Sequence, residues 1–144
     1  MKSLNSQNGF TLLEVIVVLA GLSVLIASAT IYGQYNYLKL EESHFFTLLQ
    51  QDILLAQSLA IERKQVTYVK FSSEQRKYTI TTKFEAYKTV SFPQSVQYKN
   101  NSFFSTIEYT PAGTITSFGT AYFSTSDVDK KLTAFIGRGR VQID

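Results

Sequence analysis

The chain has 144 residues, 44% of them hydrophobic, which is enough for one modest domain plus one long helix but not for two independent cores. Its net charge of +3 is spread along the whole length and implies mild attraction to anions rather than a dedicated nucleic-acid surface. With no cysteine, disulfide frameworks, thiolate zinc sites and cysteine nucleophiles are excluded, so an exported domain here must fold by packing alone.

Residues 1–9 are polar with a single basic side chain, Lys2, and the sequence then switches abruptly to an apolar run over residues 10–31. About 22 residues at roughly 1.5 Å each make about 33 Å of helix, enough to cross a hydrocarbon core of roughly 30 Å. Lys2 and the amino terminus place the polar leader on the cytoplasmic side and the rest of the chain outside, with the bilayer as the first partner. An ordinary secretory signal peptide is the competing reading. Ala27-Ser28-Ala29 is an acceptable cleavage site, and cutting there would release a secreted β-domain. Against it, the apolar stretch is long, its basic region is poor, and Glu14 lies inside it. A carboxylate in a spanning helix is expensive unless something compensates it. A cut between Gly9 and Phe10 would supply that partner, because it frees an α-amino group at the head of a helix whose first turns hold Glu14.

Gly9-Phe10-Thr11-Leu12-Leu13-Glu14-Val15, directly ahead of a spanning segment, resembles the prepilin processing motif of type IV pilins and pseudopilins. The resemblance implies that a prepilin peptidase cuts after Gly9 and methylates the Phe10 amine. It also implies that Glu14 meets the Phe10 amine of an adjacent subunit and so sets filament register. Many type IV pilins carry a kinking proline where this chain has Ile31; here only Gly33 is available to loosen the helix.

From Tyr32 to Lys64 the sequence turns amphipathic without proline. Phe45, Leu49, Ile53, Ala56 and Ala60 form a stripe that suits one helix face packed on a core, widened by Leu48, Leu55 and Leu59. Glu41, Gln51, Gln57 and Glu62 lie opposite, and Arg63 and Lys64 complement the carbonyl end. One helix over residues 10–64 is therefore predicted, and a helix of that length needs two environments. The domain plan is a leader at 1–9, a transmembrane or filament-core helix at 10–31, an amphipathic helix at 32–64 and a β-sheet domain at 65–144.

Beyond Gln65, β-rich runs are predicted at residues 66–71, 78–84, 87–92, 106–109, 114–118, 120–124, 132–136 and 140–143, separated by turn sequences. Connections this short imply an antiparallel sheet. The fold class is thus α+β, a long N-terminal helix packed on a C-terminal antiparallel sheet, and the pilin resemblance implies a lollipop of this kind. Residues 107–114, 132–136 and 137–141 resemble the closing hairpins of the H-type pseudopilin domain, with Gly113 and Gly139 free to adopt positive φ where the chain reverses.

Catalytic material is sparse. His44 is the only histidine, so neither a triad nor a multi-histidine site can be built. Asp127-Val128-Asp129 falls short of an EF-hand loop, and Gly137-Arg138-Gly139-Arg140 lacks the lysine and hydroxyl residue of a phosphate loop. No cofactor is implied, and the chain reads as a structural subunit rather than an enzyme. Lysines and arginines of the sheet region, Lys130, Lys131, Arg138 and Arg140 among them, could pair with DNA phosphates; solvated sheet edges also use lysine, and that plainer reading is preferred. By resemblance the chain is similar to the D-type minor pseudopilin of a Gram-positive competence system, a filament subunit for DNA uptake. Its implied partners are other major and minor pseudopilins, a membrane platform protein and an assembly ATPase. A minor pseudopilin of type II protein secretion is the alternative within the same class.

Overall fold

The computed structural model describes residues 11–83, 85–137 and 139–144. Its single helix, α1, spans Leu12–Arg63. Thr11 stands just before it as an N-cap, its hydroxyl accepting the N–H of Glu14 at 3.3 Å. At the other end Lys64 takes a left-handed conformation (φ +51°), and the N–H of Gln65 reaches back to the carbonyl of Ala60 at 3.2 Å. This is the hydrogen bond that closes a Schellman cap, made here without the usual glycine. The helix predicted over 10–64 is therefore present between two identifiable caps, and it continues through Ile31 and Gly33.

The chain divides into two compact units, Met1–Tyr37 and Leu38–Asp144. In the first, the described residues are helical from Leu12 onward, and the large apolar side chains from Leu12 to Ile26 are solvent-exposed. Its hydroxyls are satisfied within the helix: Ser23 donates to the Ala20 carbonyl, Ser28 to Val24 and Thr30 to Ala27, each at 2.8 Å. A helix crossing hydrocarbon must satisfy its polar groups internally in this way.

The second unit packs the later turns of α1 against β-structure. Strands β1 (Thr67–Ser72), β2 (Lys77–Thr82), β3 (Ala86–Ser91) and β5 (Thr106–Tyr109) form one antiparallel sheet in the order β3-β2-β1-β5. Strands β4 (Gln97–Tyr98), β6 (Gly119–Ser124), β7 (Lys130–Ala134) and β8 (Val141–Ile143) form a second in the order β4-β6-β7-β8. Alternation sends Val69, Phe71, Tyr78, Ile80, Ile107 and Tyr109 of the first sheet inward, and Ala121, Phe123, Leu132 and Ala134 of the second. They meet the predicted helix stripe, whose members Phe45, Leu49, Ile53, Ala56 and Ala60 are all buried, in one continuous core. Phe45, Phe46, Phe71, Tyr78, Phe92, Tyr98 and Phe123 pack there mostly edge to face, with ring centroids 5.2–6.4 Å apart.

The α+β architecture agrees with the sequence, and the divergences lie in the sheet. Two sheets replace the one expected. The run predicted as a strand at 114–118 is not one: Ile115 alone bridges Tyr109 on one side and Gly137 on the other. After it the burial alternation fails, because Phe118 stays exposed as the chain crosses to open the second sheet. Gln97–Tyr98, a strand too short to carry a pattern, was not foreseen. The strand expected at 132–136 lies two residues earlier, and Phe84, placed at the end of another, lies outside the described residues.

Candidate functional site

At the helix head the structure describes part of the predicted processing and assembly site. Glu14 is the sole charged side chain between Phe10 and Ile31 and sits in the first turn of α1, exposed. The Thr11 cap holds its backbone, and the helix dipole favours a negative charge there. A carboxylate fixed at the positive end of an otherwise apolar helix can accept an ion pair from an amine beside the first turn. Gly9 and Phe10, the predicted cleavage point and modified residue, lie outside the described residues, as does the leader.

In the second unit three polar side chains of α1 fasten it to the β-structure. Asp52 is buried and bifurcates: Oδ2 accepts the Tyr78 hydroxyl at 2.6 Å and Oδ1 accepts Lys88 Nζ at 2.7 Å. Burial, reinforced by the Asp52 carboxylate, pushes the Tyr78 hydroxyl far above the usual tyrosine range. Glu42, also buried, accepts the Ser126 N–H at 2.9 Å and so ties the β6–β7 connection to the helix. Gln57 donates to the Gly113 carbonyl at 2.8 Å, which corrects its expected place on the solvent face. Sequence reasoning missed Asp52 and Glu42, although the signal was present: positions 42, 45, 49, 52 and 56 repeat at the spacing of the buried stripe.

The remaining candidates do not converge on chemistry. His44 is exposed. Asp127 pairs with Lys39 at 2.9 Å, and Asp129 pairs with Lys99, a contact that lowers the Asp129 pKa. Among the described residues no three His, Cys, Asp or Glu side chains are grouped to hold a metal ion. Lys130 and Lys131 are consecutive in β7 and so point to opposite faces of the sheet, Arg140 lies just before β8, and Arg138 is outside the described residues. The Gly137–Arg140 segment is a turn, with Gly137 at φ +104° and Gly139 at φ +72°; a Cβ on Gly139 would run into Gln57 and the Gly113 carbonyl.

Residues 4–30 match the family model described as the prokaryotic N-terminal methylation motif. Among solved structures, the chain is similar to the type IV minor pilin FimU of Pseudomonas aeruginosa in two crystal forms, at 14% identity in both. One has a TM-score of 0.58 and covers 78% of this chain and 92% of that one; the other has a TM-score of 0.55 and covers 68% and 88%. It is also similar to the minor pseudopilin EpsH from the type 2 secretion system of Vibrio cholerae, at 16% identity and a TM-score of 0.51, over 74% of this chain and 95% of that one. No curated protein matches the sequence. The chain thus combines the methylation motif with a type IV pilin-like fold, a long helix packed on antiparallel β-structure.

Proposed function

We propose that this chain is a minor pseudopilin of a type IV-like competence pilus, built into a filament needed for DNA uptake. The observation that carries the reading is a capped helix head bearing one carboxylate, Glu14, on an apolar helix that leads into a domain of minor-pilin fold. In this mechanism a prepilin peptidase cuts between Gly9 and Phe10 and methylates the new amine. The subunit waits in the membrane with its β-domain on the outer side. An assembly ATPase acting through a platform protein then draws it into a bundle of apolar helices, where Glu14 pairs with the Phe10 amine of a neighbour. The subunit performs no reaction itself, and direct DNA contact through Lys130, Lys131, Arg138 and Arg140 is no part of the proposal.

The competence assignment rests on the sequence resemblance at the two ends of the chain. The likeness to EpsH favours a second reading, a minor pseudopilin of type II protein secretion. Deletion separates the two, since the first predicts loss of transformation and the second retention of exoprotein inside the cell. Mass spectrometry of the mature amino terminus tests the shared premise. A methylated Phe10 is expected, whereas a chain beginning at Thr30 would identify a released β-domain instead. The uninterrupted helix through Ala27-Ser28-Ala29 supports the former.

A further inference from the structure

The outer face of the second sheet is apolar where a solvated sheet would be polar. Because β6 and β7 turn Ala121, Phe123, Leu132 and Ala134 into the core, they turn Thr120, Tyr122, Lys131 and Thr133 outward. Tyr122 stands opposite Lys131, and Thr120 opposite Thr133 with their hydroxyl oxygens 3.5 Å apart. Beyond this ladder Phe118, Phe135 and Ile136 line one open notch, while Phe103, Phe118 and Tyr122 line a second. Phe103 and Phe118 stack with centroids 6.3 Å apart, yet they remain 74% and 53% exposed.

This surface is built, not frayed. The N–H of Phe103 donates to the Thr120 carbonyl at 2.9 Å, which holds the ring over Gly119. Gly119 itself has φ +146°, and a Cβ there would collide with the Phe103 ring. Rings exposed to this degree and fixed in place mark a contact surface.

We propose that this face rests in the headgroup region of the bilayer that anchors the chain, so that the unassembled subunit is held to the membrane at two places. The inference depends on the anchoring reading given above. The composition fits a lipid interface: aromatic bodies to enter the acyl boundary, tyrosine and threonine hydroxyls at headgroup level, and cations beside them. Lys131 lies opposite Tyr122, and the Arg140 carbonyl accepts the Phe135 N–H at 3.0 Å, so both cations border the rings and complement anionic lipid. Asp144, which exchanges backbone hydrogen bonds with Lys131, offsets part of that charge and leaves apolar burial as the main term. A chain already tethered to a bilayer meets it at high effective concentration, so a face too weak to recruit a free protein can still stay docked.

The chain contains no tryptophan, so a single introduced indole reports on its own surroundings. Phe118→Trp, Tyr122→Trp and Leu19→Trp would each be made in the full chain. Each is reconstituted into phosphatidylcholine vesicles carrying brominated acyl chains, with and without phosphatidylglycerol. Leu19→Trp should be quenched and thereby report the anchor. The two sheet variants should show blue-shifted emission and roughly twofold quenching, stronger with phosphatidylglycerol and weakened by Lys131→Glu. Red-shifted, unquenched emission from both sheet variants while Leu19→Trp is quenched overturns the docking alone. Blue-shifted but unquenched emission that rises with the protein-to-lipid ratio also overturns it, by showing that a second copy covers the face. An unquenched Leu19→Trp removes the anchor reading instead.

Discussion

Glu14 combines two properties that substitution can separate. The Thr11 hydroxyl caps the backbone N–H at position 14, so the helix start survives any side chain there that tolerates a first turn. The charge has no role in that cap; its use is to pair with an amine once apolar helices surround it. Glu14→Gln, nearly isosteric, should therefore insert into the membrane normally, because removing a charge lowers the insertion cost. Its share in sheared filaments should nevertheless fall about tenfold, the ratio that roughly 1.4 kcal/mol of lost pairing gives. Unchanged incorporation by quantitative immunoblot would refute the pairing.

The element that organises the domain is the later half of α1, and its fastening is polar as well as apolar. Asp52 joins it to β2 through Tyr78 and to β3 through Lys88. Asp52→Ala strands the Tyr78 hydroxyl in the core, while Lys88, about a third exposed, can swing out to water. The expected loss is about 2–3 kcal/mol, read as a lower urea midpoint. The triple change Asp52→Leu, Tyr78→Phe, Lys88→Met should recover most of it, since the whole network is then replaced by apolar packing. How far such elements were legible follows from their periods. The helix could be read because Phe45 to Ala60 repeat at 3.6, and most long strands because residues such as Val69 and Phe71 alternate. Asp52 and Glu42 were overlooked because a charged residue on the buried stripe reads as a gap in the pattern, although its phase was that of the core. The division into two sheets could not be read, because it depends on one bridge at Ile115 and on Gly119 and Phe118, whose partners lie far off in sequence. At the helix head, Glu14 was legible because a lone acid in an apolar run has no plainer explanation.

Taken as a whole, the second unit keeps several phenols dry. Burial raises the pKa values of Tyr78 and Tyr109, and that of Tyr98, where the Ser102 hydroxyl partly offsets the rise. The folded state therefore holds these protons above the ordinary tyrosine value of about 10, at which the unfolded chain releases them. Where the unfolded state binds fewer protons, stability falls as pH rises. The urea midpoint should thus be level up to about pH 9 and decline above about pH 10, and Tyr109→Phe should make the decline shallower. A midpoint unchanged between about pH 9 and about pH 11 would contradict these buried positions. Strand connectivity carries a further consequence, for export. Strands β1, β2 and β3 pair with their immediate successors, so that meander can close soon after it emerges from a translocation channel. Residues 141–143 supply the final rung beside β7, and Gly137 completes the bridge to Ile115. Until the carboxy-terminal tail has cleared the channel the second half of the domain stays open, and a polypeptide in transit remains pliable enough to pass.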